Sequence, residues 1–323
     1  MRSILCTWLV LVASGGSASP PVPWNNSGHR IVSLLAWELL SADTRTEVAA
    51  LLRAHPRFAA DLKLGLPRDS DQLATARHAF ALAANWPDTV RSVTHAMHRV
   101  AHRPQWHYVN MPLVLDATPV AQPPAAPAAG PADIVTAIRT NLTMLADRDL
   151  PAADRAIALC WVVHLIEDVH QPLHACSLYS KQFPDGDQGG TRFVVTRGAF
   201  DARSQTNLHA LWDALLGDYQ SQAWDQCVAA GLALRPELSP ASLAAAAALD
   251  DLEVWARESH ALAVRYAYLD GRLQGAVVDT PEAERAPLLP AGYLAAAEAI
   301  VMQRAGLAAN RLAATLNRIF DPK

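Results

Sequence analysis

Cysteine is scarce, with four residues in a chain of 323. Cys6, Cys160, Cys176 and Cys227 form no Cys-x-x-Cys pair, so a thiolate zinc site has no basis. A surplus of one charge is also missing. Lys and Arg number 27, Asp and Glu 31, and the net charge is −4. That argues against a protein held to duplex DNA by a broad basic patch, although bound metal ions can supply positive charge locally. After residue 13 no apolar run reaches the roughly 20 residues of a membrane helix, which argues against a membrane partner. Sustained β-type alternation is lacking except at 192–196, after Gly189-Gly190, where one small hairpin is expected. No repeat at solenoid periods is present.

What remains is a globular composition, 51% hydrophobic and 18% charged. That rules out a disordered or collagenous chain. Twelve His in an Ala-rich background, and nine Trp against six Phe and six Tyr, are the unusual counts. Arg2, the apolar run 4–13 and the small residues Gly15 to Ser19 read as a secretory signal peptide. We therefore divide the chain into 1–23, signal peptide and Pro-rich stub, and 24–323, one domain, secreted or periplasmic. Export permits disulfides. Cys160, beside Trp161, reads as a buried thiol, while Cys176 and Cys227 are open to pairing or not. Asn25 and Asn141 head glycosylation sequons.

Apolar residues recur at helical spacing through 31–52, 134–145, 156–169 and 296–319, so the fold class is all-α. Ser41 and Asp43 punctuate the first run, and Asp133 precedes the second. Irregular stretches are expected at 63–71, 117–131 and 183–190. The Pro-rich middle one reads as a surface loop, because His-rich segments lie on both sides of it.

The chemistry concentrates in CWVVHLIEDVHQPLHA (160–175) and NLHALWD (207–213). His164 and Asp168 are four residues apart, as are His209 and Asp213, so each pair shares one helix face. A single such pair is usually a surface ion pair. Two of them embedded in Leu, Val and Trp, where an uncompensated charge is costly, point to zinc held by imidazole and carboxylate. Trp86-Pro87-Asp88 and Trp106-His107-Tyr108-Val109-Asn110 add potential ligands beside Trp.

With WNNSGH (24–29), WPDTVR (86–91), WHYVN (106–110) and the final AGLAANRLAATLN helix, these motifs resemble the secreted trinuclear-zinc, single-strand-specific nucleases of the fungal S-one/P-one type. The resemblance covers the whole mature chain and implies the helical fold shared with zinc phospholipase C. It implies three zinc ions, one on Asp88, His107, His164 and Asp168. A second would share Asp168 and take His29 and the amino nitrogen and carbonyl oxygen of Trp24; the third would take His174, His209 and Asp213. Asp88 and Asp168 would be catalytic as ligands at the reacting phosphate, and Arg91 would stabilise that phosphate. Tyr108 would stack a base. Asn110 would be substrate-binding with Tyr108 and Arg91, but because many members carry Asp there, its hold on the orientation of Arg91 would be weaker or insensitive to pH. His170 would pack rather than bind metal. The implied reaction is hydrolysis of single-stranded DNA and RNA to 5′-nucleotides, with 3′-nucleotidase activity, by a monomer. Zinc makes the hydroxide available near neutral pH. The alternative is a zinc-dependent phospholipase C, whose last ligand tends to be Glu where this chain has Asp213.

Overall fold

A computed structural model describes residues 26–116, 130, 132–198, 205–216, 224–233 and 251–321. The signal segment, Trp24, Asn25 and most of the Pro-rich loop therefore lie outside the described residues. The helices are α1 (Asn26–Leu39), α2 (Ala42–Arg53), α3 (Gln72–Thr89), α4 (His98–Ala101) and α5 (Ile134–Ala146). They continue with α6 (Ala152–Asp168), α7 (Leu208–Ala214), α8 (Trp224–Ala233), α9 (Leu252–Leu262) and α10 (Tyr293–Phe320).

Capping explains several boundaries. The run expected at 31–52 is two helices, because Ser41 leaves the helical region and its hydroxyl accepts from Thr44 N. Asp71, Asp133 and Asn207 cap α3, α5 and α7 in the same way, Asp133 within a full capping box with Thr136. Helix α6 is buried all round from Arg155 to Asp168, with Ile157 alone partly exposed. A helix without a polar face must be surrounded, and α1, α2, α3, α5 and α10 pack around it.

The all-α class holds, but the strand content is distributed differently from the single hairpin expected. β1 (Met111–Val114) pairs in parallel with β2 (Cys176–Tyr179). β3 (Phe193–Thr196) lies antiparallel between β4 (Gln205–Asn207) and β5 (Ala276–Val277). Strands of two to four residues are too short for alternation to register, and these partners are distant in sequence.

Three further expectations are settled. Cys160, Cys176 and Cys227 are all buried and form no disulfide, so the 176–227 pairing is not made. Asn141 is buried and donates its amide to Ala137 O, so its sequon is unavailable to a glycosyltransferase. The chemistry-bearing helix ends at Asp168, ahead of Pro172, which opens a short 3-10 turn at Pro172–His174.

Candidate metal centre

Four structural devices bring the ligand-type residues together. Helix α6 delivers His164 and Asp168 from successive turns of one face, with His164 Nε2 3.0 Å from Asp168 Oδ2. The C-terminal turn of α3 delivers Asp88, and that end of the helix is pinned by Trp86, whose indole N–H donates to Asp61 at 3.1 Å. The parallel β1–β2 pair extends backwards into the site. Val109 N donates to His174 O at 2.8 Å, which sets His107 and His174 side by side. Helix α7, entered from β4, brings His209 and Asp213, 3.3 Å apart.

The result is one buried cluster. His107 Nδ1 lies 3.0 Å from Asp168 Oδ2, His174 Nδ1 3.6 Å from the same oxygen, and His29 Nε2 3.4 Å from Asp168 Oδ1. Three subsets present donor atoms close enough to share an ion: His29, Asp88 and His164; His107, His164 and Asp168; His174, His209 and Asp213. Eight of the nine sequence-derived ligands thus fall in one place, and Trp24 is outside the described residues. Asp168 neighbours His29, His107, His164 and His174, which suits a carboxylate shared between ions.

Hydrogen bonds fix which imidazole nitrogen is offered. The Nδ1–H of His164 donates to Ala84 O at 2.6 Å, that of His174 to His107 O at 2.8 Å and that of His209 to Gly189 O at 2.7 Å. Each leaves Nε2 with its lone pair facing the cavity. His29 donates through Nδ1 to Glu167 at 2.5 Å. Gly189 has φ +63°, and a Cβ there would stand 2.6 Å from Leu173 O, so only glycine lets this strap approach His209.

The site fits cations on its own chemistry. Among the described residues Asp88 Oδ2, Asp168 Oδ1, His107 Nε2, His174 Nε2, His209 Nε2 and Asp213 Oδ2 are buried without a hydrogen-bond partner. Such groups are costly unless something else satisfies them. Burial lowers the pKa of His107, His174 and His209, the last to about 4, which keeps them neutral as metal ligands require. Burial pushes Asp213 well up, with Asp168 and Asp88 adding repulsion. Burial also opposes charge on Asp168, but His164 and the hydrogen bond from His107 outweigh it and hold the carboxyl well down.

At the rim, Arg91 places a guanidinium nitrogen 3.1 Å from Asp88 Oδ1. Tyr108 is part-buried, its ring 4.9 Å from that of His174 and 5.9 Å from that of His209. Asn110 is exposed just before β1. His170 points away from the cluster. Its Nδ1–H donates to Ile166 O and its Nε2 accepts from Arg311, so a packing role is what the structure gives it.

Two residues escaped the sequence reading. Glu167 orients His29 as described, and Gln171 donates to Asp213 Oδ1 at 2.7 Å while its own oxygen accepts from Leu173 N. Their signal in the sequence was a buried acid and a buried amide inside the ligand motif itself.

Residues 24–321 match the family S1/P1 Nuclease. Endonuclease 4 of Arabidopsis thaliana is 31% identical over 180 residues, which cover 51% of this chain and 51% of that protein. The chain thus spans about half the length of the curated relative it matches.

Proposed function

This chain belongs to the S1/P1 nuclease family, and from that premise we propose that it is an exported, zinc-dependent phosphodiesterase acting on single-stranded DNA and RNA. It would release 5′-nucleotides and also act as a 3′-nucleotidase. The observation that carries this reading is the group of buried, unsatisfied His and Asp atoms converging beneath Arg91. We assign Asp88, His107, His164 and Asp168 to one zinc, and Asp168, His29 and Trp24 to a second. His174, His209 and Asp213 take the third. All these donors come from one chain, so no second copy is needed. Export rests on the apolar segment 4–13, and no helix among the described residues is long and apolar enough to cross a membrane.

Zinc, when bound, lowers the pKa of coordinated water to about 7 and polarises phosphoryl oxygens. The chain's own residues do the rest. Asp168 holds two ligand subsets in register through its two oxygens. Arg91, kept charged by Asp88 against the cost of its burial, offers a planar fork to the non-bridging phosphate oxygens. Tyr108, packed on the third subset, flanks the position of a base. Glu167, Gln171 and the carbonyls of Ala84, His107 and Gly189 hold the ligands in place.

The test compares single-stranded DNA, duplex DNA and phosphatidylcholine as substrates of the zinc-loaded protein. Preference for single-stranded DNA supports the proposal. Hydrolysis of phosphatidylcholine alone would transfer the site to the phospholipase reading.

A further inference from the structure

The chain is acidic overall, yet from Thr89 to Leu115 it carries no Asp or Glu. The same stretch holds Arg91, Arg99 and Arg103 together with His95, His98, His102 and His107. Contacts link the stretch to the metal centre, through Val90 beside Arg91, His98 bonded to Val90 O, and His102 stacked on His98. Arg91 stands at its inner end against Asp88. His98 and His102, one turn apart, stack with ring centroids 4.7 Å apart, and His98 is fixed by Nδ1 donating to Val90 O at 2.9 Å. Burial lowers the pKa of His102, and His98, Arg91, His107 and Arg103 then lower it further, so His102 feels the site and the outer arginines together.

Beyond this stack, Arg103 lies over the Trp106 ring at 5.6 Å and is locked by bonds to Val100 O and His102 O. Arg99 is exposed and makes no ion pair with the described residues. Val93 and Val100 are 81% and 62% exposed between these groups. Asp61 is matched by Arg57 and His95, Asp88 by Arg91, and Asp154 shares a cavity with Val100 and Arg103. The cation this face leaves exposed is Arg99.

We propose that the face formed by 91–103 is a second contact surface for the substrate strand, binding phosphates one or more nucleotides away from the bond that is cut. The inference rests on the nuclease reading above, and two observations fix the occupant. One is charge complementarity to a polyanion, and the other is the chain of contacts to Arg91 at the metal centre. A strand held at Arg91 meets His102, then Arg99, while Val93 and Val100 leave room for sugars and bases. The consequence is a preference for polynucleotides over the shortest cleavable substrates.

The experiment measures kcat and KM of the zinc-loaded full chain, with Arg99→Ala, Arg99→Glu and Arg99→Lys variants, from 0.05 to 0.5 M NaCl. Substrates are a single-stranded 20-mer and a dinucleotide. One phosphate contact contributes about −0.7 to the log–log salt slope on single strands, so Arg99→Ala should flatten that slope by about 0.7 and raise KM for the 20-mer about fivefold at 0.1 M salt. Arg99→Glu should do more and Arg99→Lys little, with kcat preserved and the dinucleotide unaffected. No change on the 20-mer, or an equal change on both substrates, would overturn the proposal. Arg99-dependent binding to phosphatidylserine vesicles with an unchanged 20-mer KM would also overturn it, in favour of a lipid surface. Wild-type protein that cuts neither nucleic acid would instead refute the nuclease reading.

Discussion

Glu167→Gln replaces a carboxylate by an amide of the same size at a residue that touches no substrate. Glu167 and His29 are both fully buried, and the Nδ1 to Oε2 distance is 2.5 Å. A buried hydrogen bond to a charged group is worth about 1.5–3 kcal/mol. Loss of a carboxylate that orients a metal-binding imidazole costs about 10–100-fold in metal affinity, about 1.4–2.8 kcal/mol. The two routes agree on about 2 kcal/mol. The amide still fills the space, so the fold is retained and the loss falls on the ion bound by His29. Competition with a graded chelator should show one zinc released about 10–100-fold more easily, with kcat/KM falling in parallel. The ion on His174, His209 and Asp213 should be held as in the wild type. Unchanged metal affinity, or equal weakening at every site, would refute the reasoning.

Asp168→Asn should reduce kcat/KM more than Asp213→Asn, because Asp168 serves two ligand subsets and an amide is a poor zinc ligand; equal losses with full metal retained would remove the shared role. His55 should make the protein acid-sensitive. Burial, with Arg57 and His95 adding to it and Asp61 opposing, lowers its pKa from 6.5 to about 4. The unfolded chain takes up this proton near 6.5 and the folded one only near 4, so stability present above pH 6.5 is lost as pH falls through that window. The loss is up to about 3 kcal/mol, and urea titrations of wild type and His55→Leu at pH 7 and 4.5 should differ by most of it; parallel behaviour would contradict the assignment. Because none of the three described cysteines is in a disulfide, a reductant should leave Tm unchanged, and a fall of several degrees would reveal one.

Much of this site was legible because its chemistry follows helical spacing. His164 with Asp168 and His209 with Asp213 announce themselves as pairs on one face, and the apolar period marked α1, α5, α6 and α10. The helix break at Ser41 was visible only as punctuation, since the apolar pattern runs through it. The β1–β2 pair was not legible. Its strands have four residues each, Pro112 sits inside one, and the register Met111 to Cys176 spans distant sequence. The supports of the ligands were hardest to read. The Ala84, His107 and Gly189 carbonyls that set three imidazole tautomers belong to the backbone, which carries no residue-type signal. Glu167 and Gln171 stood within the motif, but their partners His29 and Asp213 are brought to them only by tertiary packing.

The most direct measurement is the zinc content of protein purified without added chelator and active on single-stranded DNA. The account predicts about three zinc ions per chain, loss of activity and a lower Tm on chelation, and recovery of both when zinc is restored, because the ligands converge from distant segments and metal binding is then part of folding. Activity retained with one zinc or none, or a Tm indifferent to chelation, would contradict it.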